Sequence, residues 1–116
     1  MIWNSKYSTE PMRIVQGDDI NMVLNIQEYD YTVEQWVDYD LTGKSLRLVI
    51  KNNHGTTIAD WSTTGGELTN VGSALYITDT AINSVSCCGS FNGHLRELSP
   101  NKTLWKSTVT FEGSLI

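Results

Sequence analysis

The stretch Asp40-Leu41-Thr42-Gly43-Lys44-Ser45-Leu46-Arg47-Leu48-Val49-Ile50-Lys51-Asn52-Asn53-His54-Gly55 decides how this chain folds. Thr42-Gly43 opens it with turn chemistry, a glycine standing where the backbone can take a positive φ. Strict alternation follows, with Leu46, Leu48 and Ile50 on one face and Arg47, Val49 and Lys51 on the other. A side-chain period of two with one apolar face predicts a strand half buried in a sheet. Asn52-Asn53-His54-Gly55 then closes the run with residues that tolerate left-handed backbone. The expectation is a central strand that turns sharply at both ends.

Toward the N-terminus, residues 12–15 form a short apolar run, and Gln16-Gly17-Asp18-Asp19 reads as a turn or bulge. From residue 20 the alternation is the cleanest in the chain. Ile20, Met22, Leu24 and Ile26 face one way, Asn21, Asn25 and Gln27 the other, which predicts a strand with one dry face. Residues 28–40 are acidic and aromatic, and Tyr31-Thr32-Val33 with Gln35-Trp36-Val37 suggests a hairpin extension in a long loop.

Toward the C-terminus, residues 56–61 read as the return strand, with Thr57, Ala59 and Trp61 on one face. Residues 62–72 are rich in glycine and threonine, and Gly65-Gly66 acts as a breaker. A strand at 74–78 sets Leu75 and Ile77 opposite Tyr76. Asp79 is an N-cap candidate for one helical turn over 79–86. Residues 91–98 and 104–111 are the last strands, separated by a turn at Ser99-Pro100-Asn101-Lys102, with Trp105, Val109 and Phe111 sharing a face. Seven or eight short strands at turn spacings of roughly 8–12 residues predict an all-β, antiparallel β-sandwich. Its expected extent is residues 12–116, behind an N-terminal arm of residues 1–11.

Composition bounds the function. A chain of 116 residues is one domain with room for a core. The formal net charge of -5 argues against a basic face that neutralises a nucleic-acid backbone. No apolar run approaches the ~20 residues of a membrane span. The opening Met1-Ile2-Trp3-Asn4-Ser5-Lys6 is not a secretory signal, so folding in a cytosol is expected. Cys87 and Cys88 are adjacent, where a bridge would be strained, and both are expected to be reduced.

No catalytic, cofactor or metal residues emerge. His54 and His94 lack ligand spacing, and the cysteine pair lacks that of a zinc site. Asp18-Asp19 and Asp38-Tyr39-Asp40 bring carboxylates into expected loops, but no calcium-loop motif accompanies them, and solvated acidic loops are the reading. No Gly-x-Ser-x-Gly elbow is present, and Cys87 or Cys88 with His94 is read as structural. Trp36, Trp61 and Trp105 are expected in the core or at a sheet edge. Trp3 and Tyr7 in the arm, with Tyr29 and Tyr31 in the acidic loop, are the interface candidates, because such aromatics anchor protein contacts.

Val15-Gln16-Gly17-Asp18-Asp19-Ile20, an aliphatic strand, and Asp40-Leu41-Thr42-Gly43 before Leu46-Arg47-Leu48-Val49-Ile50 together resemble the immunoglobulin-like N-terminal domain of phage baseplate upper proteins. Gly89-Ser90-Phe91-Asn92-Gly93-His94-Leu95 and the closing strand with Trp105 agree, so the resemblance covers roughly residues 12–112. It implies an immunoglobulin-like sandwich in a virion, a non-enzymatic structural protein attaching other phage structural proteins in multiple copies. The baseplate, tail, connector and capsid surface are all open as locations. No cofactor, nucleic acid or membrane is implied. The alternative is a carbohydrate-binding module using the aromatics of residues 29–39.

Overall fold

The computed structural model describes residues 11–15, 19–80, 89–98 and 101–112. Among them there is no helix, and hence none long and apolar enough to cross a membrane. Ten strands are present: β1 (Met12–Val15), β2 (Ile20–Asn25), β3 (Gln27–Asp30), β4 (Gln35–Asp38), β5 (Leu46–Lys51), β6 (Thr57–Ser62), β7 (Leu68–Val71), β8 (Ala74–Asp79), β9 (Gly89–Leu98) and β10 (Asn101–Glu112). They form a five-stranded sheet in the order β1-β10-β9-β5-β6, a three-stranded sheet β2-β8-β7, and a two-stranded ribbon β3-β4. All pairings are antiparallel except β1 with β10.

The Asp40–Gly55 reading holds. Leu46, Leu48 and Ile50 are fully buried, while Arg47 and Lys51 are exposed. Gly43 and Gly55, in the turns at either end, have φ of 75° and 84°, values that strain residues bearing a Cβ. β5 lies inside its sheet, but the middle position belongs to β9.

The expected seven or eight strands become ten for two local reasons. The glycine- and threonine-rich stretch contains β7, which pairs with β8. The long alternating run breaks at Ile26, whose N–H donates to the Ser73 carbonyl while its own carbonyl accepts from the Tyr39 N–H. Those two bonds hand the chain from one sheet to the ribbon, and Ile26 itself is 1% exposed. An antiparallel arrangement throughout is also corrected. β1 runs parallel to β10, a pairing that nearly the whole intervening chain serves to connect. Asn101 and Lys102, expected in a turn, already belong to β10, and β10 shifts register between Thr103 and Trp105. The expected helical turn at 79–86 falls mostly outside the described residues, as do Gln16-Gly17-Asp18, Cys87 and Cys88. Asp79 itself ends β8.

One apolar core joins both sheets: Leu48, Ile50, Trp61, Leu95, Trp105, Val109 and Phe111 meet Ile20, Leu68, Leu75 and Ile77. Trp61 and Trp105 are buried in the core, and Trp36 lies on an edge strand, the ribbon's β4, where it stays exposed. The Trp61 indole N–H donates to Asp79 Oδ2 at 2.6 Å, tying β6 to β8 across the sheets. Such a bond satisfies the one polar atom of a ring that is otherwise wholly apolar. Gly93 is fixed by packing, since a Cβ there would stand 2.6 Å from the Trp105 ring and 2.8 Å from Val109.

Candidate interaction surfaces

Two surfaces stand outside the core. The first is the ribbon. Tyr29 on β3 pairs across the ladder with Trp36 on β4, and their ring centroids lie 5.6 Å apart at 77°. Tyr31 meets Tyr29 edge to face at 4.8 Å and 67°. These are favourable quadrupole geometries, yet Tyr31 and Trp36 stay 38% and 44% exposed. The hairpin expected here exists, but its first arm is residues 27–30, so Tyr29 sits on a strand and Tyr31 in the turn. The structure thus brings two of the four interface candidates together and adds Trp36 to them. Trp3 and Tyr7 lie outside the described residues.

The turn of the ribbon is held by Asp30, whose Oδ1 accepts from the Thr32 N–H at 2.9 Å and from the Thr32 hydroxyl. Those bonds hold the Asp30 carboxyl below its ordinary pKa. Asp40 does the same with Thr42 at the ribbon's exit, with the same effect. Asp38 accepts from Asn25 and Gln27 at 3.3 and 3.2 Å. Glu34 occupies the turn at φ 54°, a conformation uncommon for any residue with a Cβ.

The ribbon joins the body through a polar cluster. The Tyr39 hydroxyl donates to Glu97 Oε1 at 2.7 Å, and Lys44 Nζ lies 3.7 Å from Glu97 Oε2. Lys102 pairs with Glu28 at 3.1 Å and sits 4.4 Å from the Tyr39 ring centroid. Glu97 is the one charged residue buried among the described residues, at 3% exposure. Burial first, and the Glu97 carboxylate second, push the Tyr39 phenol up to about 12.

The second surface is the outer face of the five-stranded sheet. Arg47, Val49 and Lys51 of β5 stand beside Arg96, His94 and Asn92 of β9, in register, and Lys106 of β10 pairs with His94. Together they line an open groove of about 370 Å³. Arg47 makes a bidentate pair with Asp60, at 2.8 and 2.6 Å. Among the described residues, Lys51, Arg96 and Lys106 have no carboxylate at ion-pair distance. His94 bonds Thr103 Oγ1 at 2.9 Å. Its pKa is lowered by burial, then by the charges of Arg96, Lys106 and Lys51.

Alternation along β5 marked Arg47 and Lys51 as outward, but only the pairing of β5 with β9 and β10 gathers the other cations beside them. Net charge concealed this surface. Residues 27–40 hold Glu28, Asp30, Glu34, Asp38 and Asp40 with no Lys or Arg, and the remaining eight acids match the chain's eight Lys and Arg. The excess negative charge therefore resides in the ribbon and its exit at Asp40, and four of the eight cations share one sheet face. No protein-family pattern matches this chain, and no curated protein aligns with it.

Proposed function

We propose that this chain is a non-enzymatic structural module of a bacteriophage particle, an immunoglobulin-like sandwich that attaches other virion proteins through its projecting ribbon. The observation that carries the reading is the ribbon itself. Three aromatic rings are stacked edge to face outside the core, two of them well exposed, on a strand pair that belongs to neither main sheet. Aromatic side chains held rigid in this way are the usual anchors of protein interfaces, because little side-chain entropy remains to be lost on docking.

Strand order supports the immunoglobulin-like part. With the ribbon set aside, eight strands remain. β2-β8-β7 follows the B-E-D order of one immunoglobulin sheet, and β10-β9-β5-β6 follows G-F-C-C′ of the other. The ribbon then occupies the B–C connection, on the end of the sandwich that variable-type domains use for recognition. β2 and β9 contain no cysteine, so these two strands lack the disulfide by which antibody domains join their sheets.

The glycan-binding alternative is less well supported. Rings crossing at 67° and 77° offer edges rather than one flat platform for a sugar ring. Calorimetry against host-surface sugars at millimolar concentration tests it directly, and saturable heat would favour it over the attachment reading.

The decisive experiment follows incorporation. Tyr31→Ser with Trp36→Ser should leave a folded monomer that no longer joins particles, as read by mass spectrometry of the purified virion. Normal incorporation of that variant would overturn the ribbon as the anchor.

A further inference from the structure

We infer that the ribbon of one copy docks in the basic groove of a second copy, joining this protein head to tail. The inference rests on the multi-copy structural reading above and names a partner for it.

Charge complementarity carries the argument. The groove gathers Arg47, Lys51, Arg96 and Lys106 around His94, with Asp60 as the carboxylate that faces them. The ribbon holds four acids, Glu28, Asp30, Glu34 and Asp38, with Asp40 just beyond its exit, and no Lys or Arg of its own. Within one copy the ribbon's described ion pair is Glu28 with Lys102, outside the groove. Lys51, Arg96 and Lys106 in the groove, and Asp30, Glu34 and Asp38 on the ribbon, are thus without an ion-pair partner among the described residues of one copy. Asp30 is held ionised by its bonds from Thr32, so the ribbon keeps that charge into mildly acid solution. Val49 and Leu98 line the groove among the cations, giving an aromatic tip apolar surface to meet.

The two patches are different surfaces, so the contact is heterologous. Each copy donates a ribbon and presents a groove, and the result is a closed ring or an open row. A contact built on opposite charges weakens as salt rises, since screening shortens the reach of each pair.

The test uses the full chain in analytical ultracentrifugation. At about 0.05 M salt the protein should associate reversibly, and by about 0.5 M salt the association should weaken at least about tenfold. Arg96→Glu with Lys106→Glu makes the groove acidic, and Glu34→Lys with Asp38→Lys removes the ribbon's excess negative charge. All four positions are exposed, and melting curves of both variants check folding. Each variant alone should be monomeric, the first because its ribbon and groove repel and the second because the attraction between them is gone. An equimolar mixture should form one-to-one pairs, since the unchanged acidic ribbon of the groove variant finds the unchanged basic groove of the ribbon variant.

A wild-type protein that stays monomeric at low salt overturns the inference, as does association that neither variant changes. Titration of the wild-type monomer with a sulfated oligosaccharide and with oligo-dT covers other occupants. Micromolar binding of either, without self-association, assigns the groove to that polyanion instead. A monomer in solution that still enters particles through Tyr31 and Trp36 removes self-docking alone and leaves the attachment reading standing.

Discussion

The hairpin β5–β6 and the ribbon β3–β4 are both short antiparallel pairs, and they have opposite fates. Along β5 and β6, Leu46, Leu48, Ile50, Ala59 and Trp61 form an unbroken buried face. Along the ribbon no residue is fully buried, and β3 is half-buried at every position. Both pairs are antiparallel, though β5 also pairs with β9 while the ribbon pairs with no other strand. What differs is whether one face has enough apolar area to be worth enclosing, and removing that area from water is the main source of fold stability. The first hairpin belongs to the core and the second stays at the surface.

Leu48→Ala gives the largest expected effect on that contrast. Leu48 is 0% exposed, and deleting a buried leucine costs about 2–5 kcal/mol through lost transfer energy and the cavity left behind. Trp36→Ser, at a comparable place on the ribbon, should move stability by no more than about 0.5 kcal/mol, as is usual for exposed positions. Urea denaturation measures both. A Trp36→Ser loss equal to that of Leu48→Ala would make the ribbon part of the folding core and end the distinction.

The joint between the two regions comes next in size. Tyr39→Phe removes the hydroxyl that donates to buried Glu97, leaving that carboxylate with Lys44 at 3.7 Å. A buried acceptor deprived of its donor costs about 1–3 kcal/mol. The wild-type protein should also be sensitive to alkali at this joint. The folded phenol titrates near 12, above the ordinary 10.0, so its contribution is complete below pH 10 and is lost as the pH climbs toward 12. Tyr39→Phe should flatten that part of the stability profile. An unchanged alkaline limb would separate Tyr39 from the stability of the fold.

The all-β class and most core faces were legible because alternation is local. Leu46, Leu48 and Ile50, then Ala59 and Trp61, then Leu75 and Ile77 each announce a buried side within five residues of chain. The strand count was less legible. β7 is built from Leu68, Thr69, Asn70 and Val71, a run with little alternation beside two glycines, and its strand character comes from pairing with β8. The break at Ile26 was hidden for a related reason. Its side chain continues the apolar face perfectly, while its backbone bonds go to Ser73 and Tyr39, far along the chain. Of the surfaces, the aromatic one was half visible, since Tyr29 and Tyr31 are close in sequence. The basic one was not, because Lys51 and Lys106 are brought to one face only by strand register. A summed net charge of -5 carries no information about such segregation.

The smallest expected effect concerns His94, in the groove. Burial opposes its protonation, and Arg96 and Lys106 beside it with Lys51 across the ladder do the same, so the folded pKa lies below the ordinary 6.5. In the unfolded chain these influences are gone. As the pH falls through 6.5, the unfolded state therefore takes up a proton that the folded state refuses, and stability declines. His94→Gln should reduce that decline while keeping a group able to bond Thr103. A carboxylate brought into the groove acts the other way, since a nearby negative charge favours the imidazolium. In an NMR titration, the His94 midpoint should rise when the protein associates at low salt and return when Glu34→Lys with Asp38→Lys abolishes docking. A midpoint indifferent to association would place the incoming carboxylates away from His94 and move the contact along the sheet toward Arg47 and Lys51.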